Sequence, residues 1–244
     1  MNKHISIPEL NFDMEFIYVK PGTFLMGSPV TEKYRCDDET QHEVTISKPF
    51  YLGKYPVTQA QWQTVMGYNP SCLLHKGERL PVENVSWEDA VSFCNKVNQK
   101  TGQGFCLPTE AQWEYACRAG TTTPFYFGSE LNGTQANCNG NYPYGTTIKG
   151  PRLGKTSPVG SYPANGWGLH DMHGNVLELC LDWYGAYGNS RVTDPQGAQS
   201  GEKRVMRGGS WFNFALYCRS AYRNSYNPIF HDITVGFRVC LNFK

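Results

Sequence analysis

An α+β fold of few short strands and helices with much irregular structure is predicted by three features of this 244-residue sequence. The 25 glycines and 15 prolines supply turns, because glycine reaches positive φ freely and proline presets its own. Aromatic residues form 14% of the chain, so ring faces can fill a core that regular elements alone would leave loose. Brief apolar–polar alternations, the period of a strand, stand beside three capped segments with the period of a helix.

In chain order, residues 1–13 are assigned as an N-terminal lead-in, since Met1 to Pro8 is polar, and residues 14–244 as one domain. Met14–Gly27 alternates and meets Pro21-Gly22, which predicts strand, turn, strand. His42–Phe50 and Tyr51–Val57 read as two further strands. Thr58 caps a short helix to Met66, with Trp62 and Val65 inward. Ser86, with Asp89 three residues on, opens a second helix whose stripe is Ala90, Val91, Phe93, Cys94 and Val97 up to Gly102. Thr109 with Gln112 opens a third, ending near Gly120. Residues 121–175 then lose periodicity while keeping aromatics and glycines, which predicts packed loops. Strands return at Leu177–Tyr184, Arg204–Trp211 and Val235–Cys240. No internal repeat or composition break divides the chain.

Charge and cysteine usage narrow the function. A formal net charge of +1, from 22 basic and 21 acidic residues, leaves no footprint for nucleic acid or an anionic membrane. No apolar run approaches the ~18–20 residues that span a bilayer. Nine cysteines, an odd number without a CxxC pair, read mainly as buried free thiols.

Ordered motifs carry a family resemblance. They are Phe24-Leu25-Met26-Gly27-Ser28, Tyr55-Pro56-Val57-Thr58, Leu80-Pro81-Val82, Val85-Ser86-Trp87, Leu107-Pro108-Thr109-Glu110-Ala111-Gln112-Trp113-Glu114, Gly166-Trp167-Gly168-Leu169, Asp171-Met172, Gly174-Asn175-Val176, Arg207-Gly208-Gly209-Ser210-Trp211 and Gly236-Phe237-Arg238. In this order they resemble the formylglycine-generating enzyme (sulfatase-modifying factor) family. The resemblance implies a C-type-lectin-like fold, shared by oxidases and binding proteins.

For an oxidase the resemblance implies Cu(I) held by two thiolates shortly after the Arg-Gly-Gly-Ser motif, soft ligands for a soft ion. Counting on from Ser210, those positions fall on Asn213 and Cys218. An amide does not replace a thiolate, so the copper pair is broken and copper-dependent oxidation of a sulfatase cysteine is the alternative reading, not the first. The family's iron-dependent sulfoxide synthases use histidines of an extra domain that has no counterpart here. His170 and His173 therefore read as loop-packing or surface residues, and His4, His42, His75 and His231 are scattered. The resemblance also implies a structural Ca2+ or Mg2+ with oxygen ligands, matched by Asn137, Asn175 and Glu178. Pro151-Arg152-Leu153 stands where a further carboxylate is expected.

Phe212–Thr234 is the segment that speaks for binding. Its rings alternate with asparagine, serine and histidine in neither strand nor helix period, the composition of a paratope. Lys, Glu, Gln, Met and Trp, roughly a fifth of the chain, are absent from it. By chance such a gap arises on the order of once in a hundred windows. The chain thereby resembles the variable proteins of diversity-generating retroelements, in which a mutagenised asparagine codon reaches every residue type found here and none of those five. The expected contacts are Phe212, Asn213, Phe214, Leu216, Tyr217, Tyr222, Asn224, Tyr226, Ile229, Phe230, His231 and Asp232, within a variable segment 212–234. Arg207–Ser210, Cys218–Ala221 and Arg223 are the fixed frame. A protein ligand and no required cofactor are expected; a fixed partner-binding domain of the same fold is the plainer alternative. Cell-surface display would need a leader or lipid anchor, and the cytoplasm is the location otherwise expected.

Overall fold

The three helices form where their caps direct. The computed structural model describes residues 3–7, 12–72, 74 and 76–242. Helix α1 (Gln59–Met66), α2 (Trp87–Thr101) and α3 (Glu110–Arg118) each begin with a reciprocal capping box, at Thr58–Gln61, Ser86–Asp89 and Thr109–Gln112. Such a box satisfies two orphan N–H groups at once. Gly67 and Gly102 end the first two in the left-handed region, whereas Ala119 rather than Gly120 ends α3.

The strands are more fragmented than their alternation suggests. They run β1 (Lys3–Ile7), β2 (Phe12–Val19), β3 (Gly22–Met26), β4 (His42–Ile46), β5 (Phe50–Gly53), β6 (Phe105–Cys106), β7 (Leu177–Trp183), β8 (Val192–Thr193), β9 (Arg204–Arg207), β10 (Asn224–Tyr226), β11 (Val235–Gly236) and β12 (Cys240–Asn242). The lead-in thus carries a strand, which pairs antiparallel with β2. The single strand expected over Val235–Cys240 is two, because Phe237 and Val239 turn into the core between pairings with different sheets. Residues 8–11 and His75 lie outside the described set.

Three sheets result, ordered β1-β2-β5-β12-β6, β10-β9-β7-β11 and β3-β4-β8. Alternation along a strand feeds two apolar clusters, as a period of two requires. Met14 and Phe16 of β2, Leu177 and Leu179 of β7 and Met206 of β9 join the cluster of α2. Ile17, Val19, Cys180 and Val205 join the cluster of α3. At the centre of the first, Phe93 stacks on Trp62 at 5.6 Å and meets Phe237 edge-on at 5.4 Å. A third cluster, Phe125, Leu131, Ala136, Cys138 and Tyr144 with Ala215 and Cys218, packs the long irregular region beneath the C-terminal segment.

Four arginines of the C-terminal quarter are fully or nearly fully buried, each against glutamates from distant segments. Arg219 grips Glu39 through both carboxylate oxygens, at 2.7 and 2.8 Å, and reaches Glu32 at 2.6 Å. Arg223 holds Glu110 at 2.7 and 2.9 Å. Arg207 pairs with Glu114 and donates to the carbonyls of Ser220, Ala221 and Tyr222 at 2.7–3.1 Å. Arg238 holds Glu178 at 2.6 Å through two nitrogens. Such two-pronged pairs fix direction as well as distance. Removing one partner strands a buried charge: Arg219→Ala is expected to lower unfolding free energy by about 3–5 kcal/mol. Phe93→Ala is expected to cost about 3–5 kcal/mol through the cavity it leaves. Urea unfolding followed by tryptophan fluorescence measures both.

Candidate ligand-binding face

After β9 the chain turns sharply at Gly208 and Gly209, with φ of 89° and 69°. A Cβ on Gly209 would lie 2.5 Å from the Cys218 sulfur and 2.9 Å from the Tyr217 carbonyl, so only glycine lets the two ends of this segment meet. A 3-10 turn, Ala215–Cys218, follows, and then β10. Asn139 N donates to the Asn213 carbonyl at 2.8 Å, which docks the middle loop alongside. Further on, Trp87 N donates to the Pro228 carbonyl at 3.0 Å and Asn84 N to that of Asp232 at 2.9 Å, bracing the distal part on the start of α2.

Exposure divides the segment residue by residue. Ala215, Cys218, Arg219, Ser220, Ala221 and Arg223 are buried, as are Arg207, Gly208, Gly209 and Ser210 before them. None of the twelve expected contacts is buried. Ile229 is 63% exposed, Phe212 55%, Phe230 40% and Tyr226 38%. Asn213, Phe214, Leu216, Tyr217, Tyr222, Asn224 and Asp232 are half-buried, and His231 is exposed.

The rings gather in three groups. Phe214 stacks on Tyr142 at 3.9 Å and on Tyr217 at 5.9 Å, and Tyr217 meets Tyr222 edge-on at 5.0 Å. Tyr226 stacks on Phe230 at 4.5 Å. Phe212 lies against Trp211 at 5.6 Å. Such contacts hold large apolar side chains in place without hiding them. Asn213 accepts from the Ser210 hydroxyl at 2.7 Å, and Asn224 from the Ser225 N–H at 2.7 Å. Asp232 accepts from the Thr234 N–H at 2.8 Å. Tyr142, 54% exposed, and Asp89, which bonds His231 Nε2 at 2.7 Å, are partners that the sequence did not reveal. The aromatic within the polar run Asn137–Tyr142 was the available signal for the first.

Electrostatics keep the carboxylates of the frame charged. Burial alone would push the Glu39 carboxyl up, but Arg219 and the Ser28 hydroxyl bring it below the ordinary range. Glu110, likewise buried, is brought down by Arg223 and Arg207. Burial pushes the Tyr222 hydroxyl up to about 12, so this ring stays uncharged.

The metal-ligand expectations divide. Asn137 Nδ2 donates to Asn175 Oδ1 at 3.2 Å, so these two asparagines do meet. Glu178 does not join them: Arg238 takes both its oxygens, and Trp113 Nε1 donates to one at 2.7 Å. A guanidinium already neutralising that carboxylate opposes a divalent cation there, so Glu178 stands apart from the two asparagines. At the copper positions, Asn213 offers an amide, while Cys218 Sγ donates to the Phe214 carbonyl at 3.8 Å and packs in one buried cluster with Cys138. The neighbouring Cys138 thiol, and then burial, raise the Cys218 thiol well above its usual range. His173 is buried among Phe125, Tyr126 and Phe127, a loop-packing residue as expected; His170 lies against Tyr55.

Because the rings of the face are not core, Tyr226→Ala and Phe230→Ala are each expected to cost less than about 1.5 kcal/mol. Urea midpoints measured beside that of Arg219→Ala give the comparison.

Comparison with known proteins agrees with this geometry. The profile of the sulfatase-modifying factor enzyme 1-like domain matches residues 8–243. The formylglycine-generating enzyme of Mus musculus is 36% identical over 206 residues, 81% of this chain and 52% of the mouse protein, so the chain spans about half the length of that relative. The formylglycine-generating enzyme of Streptomyces coelicolor is 31% identical over 280 residues, covering 91% of this chain and 87% of the relative. Among solved structures, Treponema denticola variable protein 1 superposes with a TM-score of 0.85 at 26% identity, covering 100% of this chain and 99% of that one. With the α+β architecture, the capped helices and the motifs in place, the chain belongs to the sulfatase-modifying factor enzyme 1-like domain family and has its C-type-lectin-like fold.

Proposed function

We propose that this chain is a non-enzymatic binding module whose residues 212–234 display a diversified, aromatic-rich surface, as a variable protein of a diversity-generating retroelement does. The observation that carries the reading is the division of one short segment into a buried frame and twelve positions that are exposed or half-buried. A catalytic cleft needs its reactive groups converging in a sheltered site. Here rings spread over a surface instead, and small polar side chains stand between them, which suits recognition by area and adaptable hydrogen bonding. The likeness to a variable protein over the whole chain supports the same reading. The ligand is a protein, the contacts are the twelve residues with Tyr142 added, and binding needs no cofactor. Display at a cell surface would require a leader or lipid anchor; no helix among the described residues is long and apolar enough to cross a membrane.

A second reading is favoured by one contact. Copper-dependent cysteine oxidation would need a second soft ligand beside Cys218, and Cys138 packs in the same buried cluster. In that reading the two thiolates would hold Cu(I), which supplies oxygen activation when bound.

Two experiments separate the readings. Competition for Cu(I) against a coloured Cu(I) chelator, with oxygen uptake on a cysteine peptide, is expected to give no tight complex and no uptake. Tight Cu(I) binding with uptake would establish the oxidase instead. Inspection of the complete gene locus is expected to find a template repeat, differing at adenines from the codons for 212–234, beside a reverse transcriptase gene. A complete locus without them refutes diversification.

A further inference from the structure

The nine cysteines show no close pair in sequence, yet the five-stranded sheet sets two of them face to face. Cys106 ends β6, Cys240 begins β12, and the antiparallel register places them directly opposite one another. Residues so opposed have Cα atoms about 4.5–5.5 Å apart, within the roughly 4.4–6.8 Å that a disulfide bridges. Their Cβ atoms stand about 4.5–5.5 Å apart, a little beyond the ~3.8 Å of a relaxed disulfide. A bond formed here pulls the two strands together, and a strained bond is easily reduced again.

The side chains are already engaged. Cys106 Sγ donates to the Cys240 carbonyl at 3.7 Å, Asn242 Nδ2 donates to Cys106 Sγ at 3.3 Å, and Cys240 Sγ donates to Asn242 Oδ1 at 3.6 Å, so one asparagine engages both sulfurs. Their environments differ in the way that sequential attack needs. Cys106 is half-buried and reachable, whereas Cys240 is fully buried with its Sγ 3.8 Å from Gln112 Oε1. The neighbouring Cys240 thiol holds the Cys106 thiol below its usual range, while burial pushes Cys240 well above. Thiolate character and access together mark Cys106 as the attacking sulfur.

We propose that Cys106 and Cys240 form a reversible disulfide by exchange with a small-molecule disulfide such as glutathione disulfide, stapling edge strand β6 to β12. The Cys106 thiolate attacks one sulfur of the small disulfide, whose S–S bond breaks and releases one thiolate. Cys240 loses its proton and attacks Cys106 in the resulting mixed disulfide, which releases the second thiolate. The protein gives up two hydrogens and gains one S–S bond; the small disulfide is reduced to two thiols. Neither cysteine lies among residues 212–234, and the proposal does not rest on the binding reading.

The test exposes the full chain to glutathione disulfide, blocks remaining thiols with N-ethylmaleimide under denaturing conditions and maps peptides by mass spectrometry. The expected result is one linked Cys106–Cys240 peptide, lost on adding excess reduced glutathione. Cys94, buried on α2 and close enough to influence both thiols electrostatically, is the competing partner. Cys94→Ala is expected to keep the link, and Cys106→Ser to leave Cys240 unoxidised. A glutathione adduct persisting on Cys106, a Cys94–Cys106 link, or an unreacted Cys106 overturns the proposal.

Discussion

Pairing of buried arginines in the C-terminal quarter with glutamates from elsewhere is the constraint on which the display of the ring-rich segment depends. Glu32 and Glu39 lie in the loop after β3, Glu110 and Glu114 on α3, and Glu178 on β7, so the ion pairs tie the segment and its flanks to three parts of the body. A hydrophobic replacement of such a pair is often as stable. What charge adds is direction, because a guanidinium meeting two oxygens and several carbonyls tolerates little displacement. Arg207 holds the backbone of 220–222 by three carbonyls, so that stretch is positioned without help from the side chains of the face.

That division of labour explains an otherwise unfavourable arrangement. Large exposed apolar residues such as Phe212 and Ile229 contribute little burial, and a segment rich in them would not order itself. Here the order comes from beneath: the Ala215 and Cys218 side chains enter a cluster built by the irregular middle of the chain, and Gly208 and Gly209 allow the close turn. Loops packed on loops thus carry what sheets and helices carry elsewhere, which the glycine and aromatic content of the chain foreshadows.

Legibility followed the range of the interactions. The three helices were readable because a capping box and a 3.6-residue stripe are local signals, and Thr58, Ser86 and Thr109 show both. Two-residue strands such as β6 and β8 were not, since only distant partners define them. The strand in the lead-in was hidden for the same reason: β2, not its own composition, makes it a strand. At the face, the failure of both periods drew notice to Phe212–Thr234, but Tyr142 stacks on Phe214 from far earlier in the chain and left only a faint trace. Glu178 looked like a cation ligand because its partner Arg238 lies 60 residues on, and two-pronged pairing cannot be read from spacing.

The claim at the centre of this account is that the frame folds whatever the twelve exposed or half-buried positions carry. Its most direct measurement randomises those twelve codons together, holds every framework residue fixed, and scores individual clones for cooperative thermal unfolding. The account predicts that most clones retain a single sharp transition near that of the parent chain. Broad or absent transitions in most clones would show that these side chains build the fold, and would contradict it.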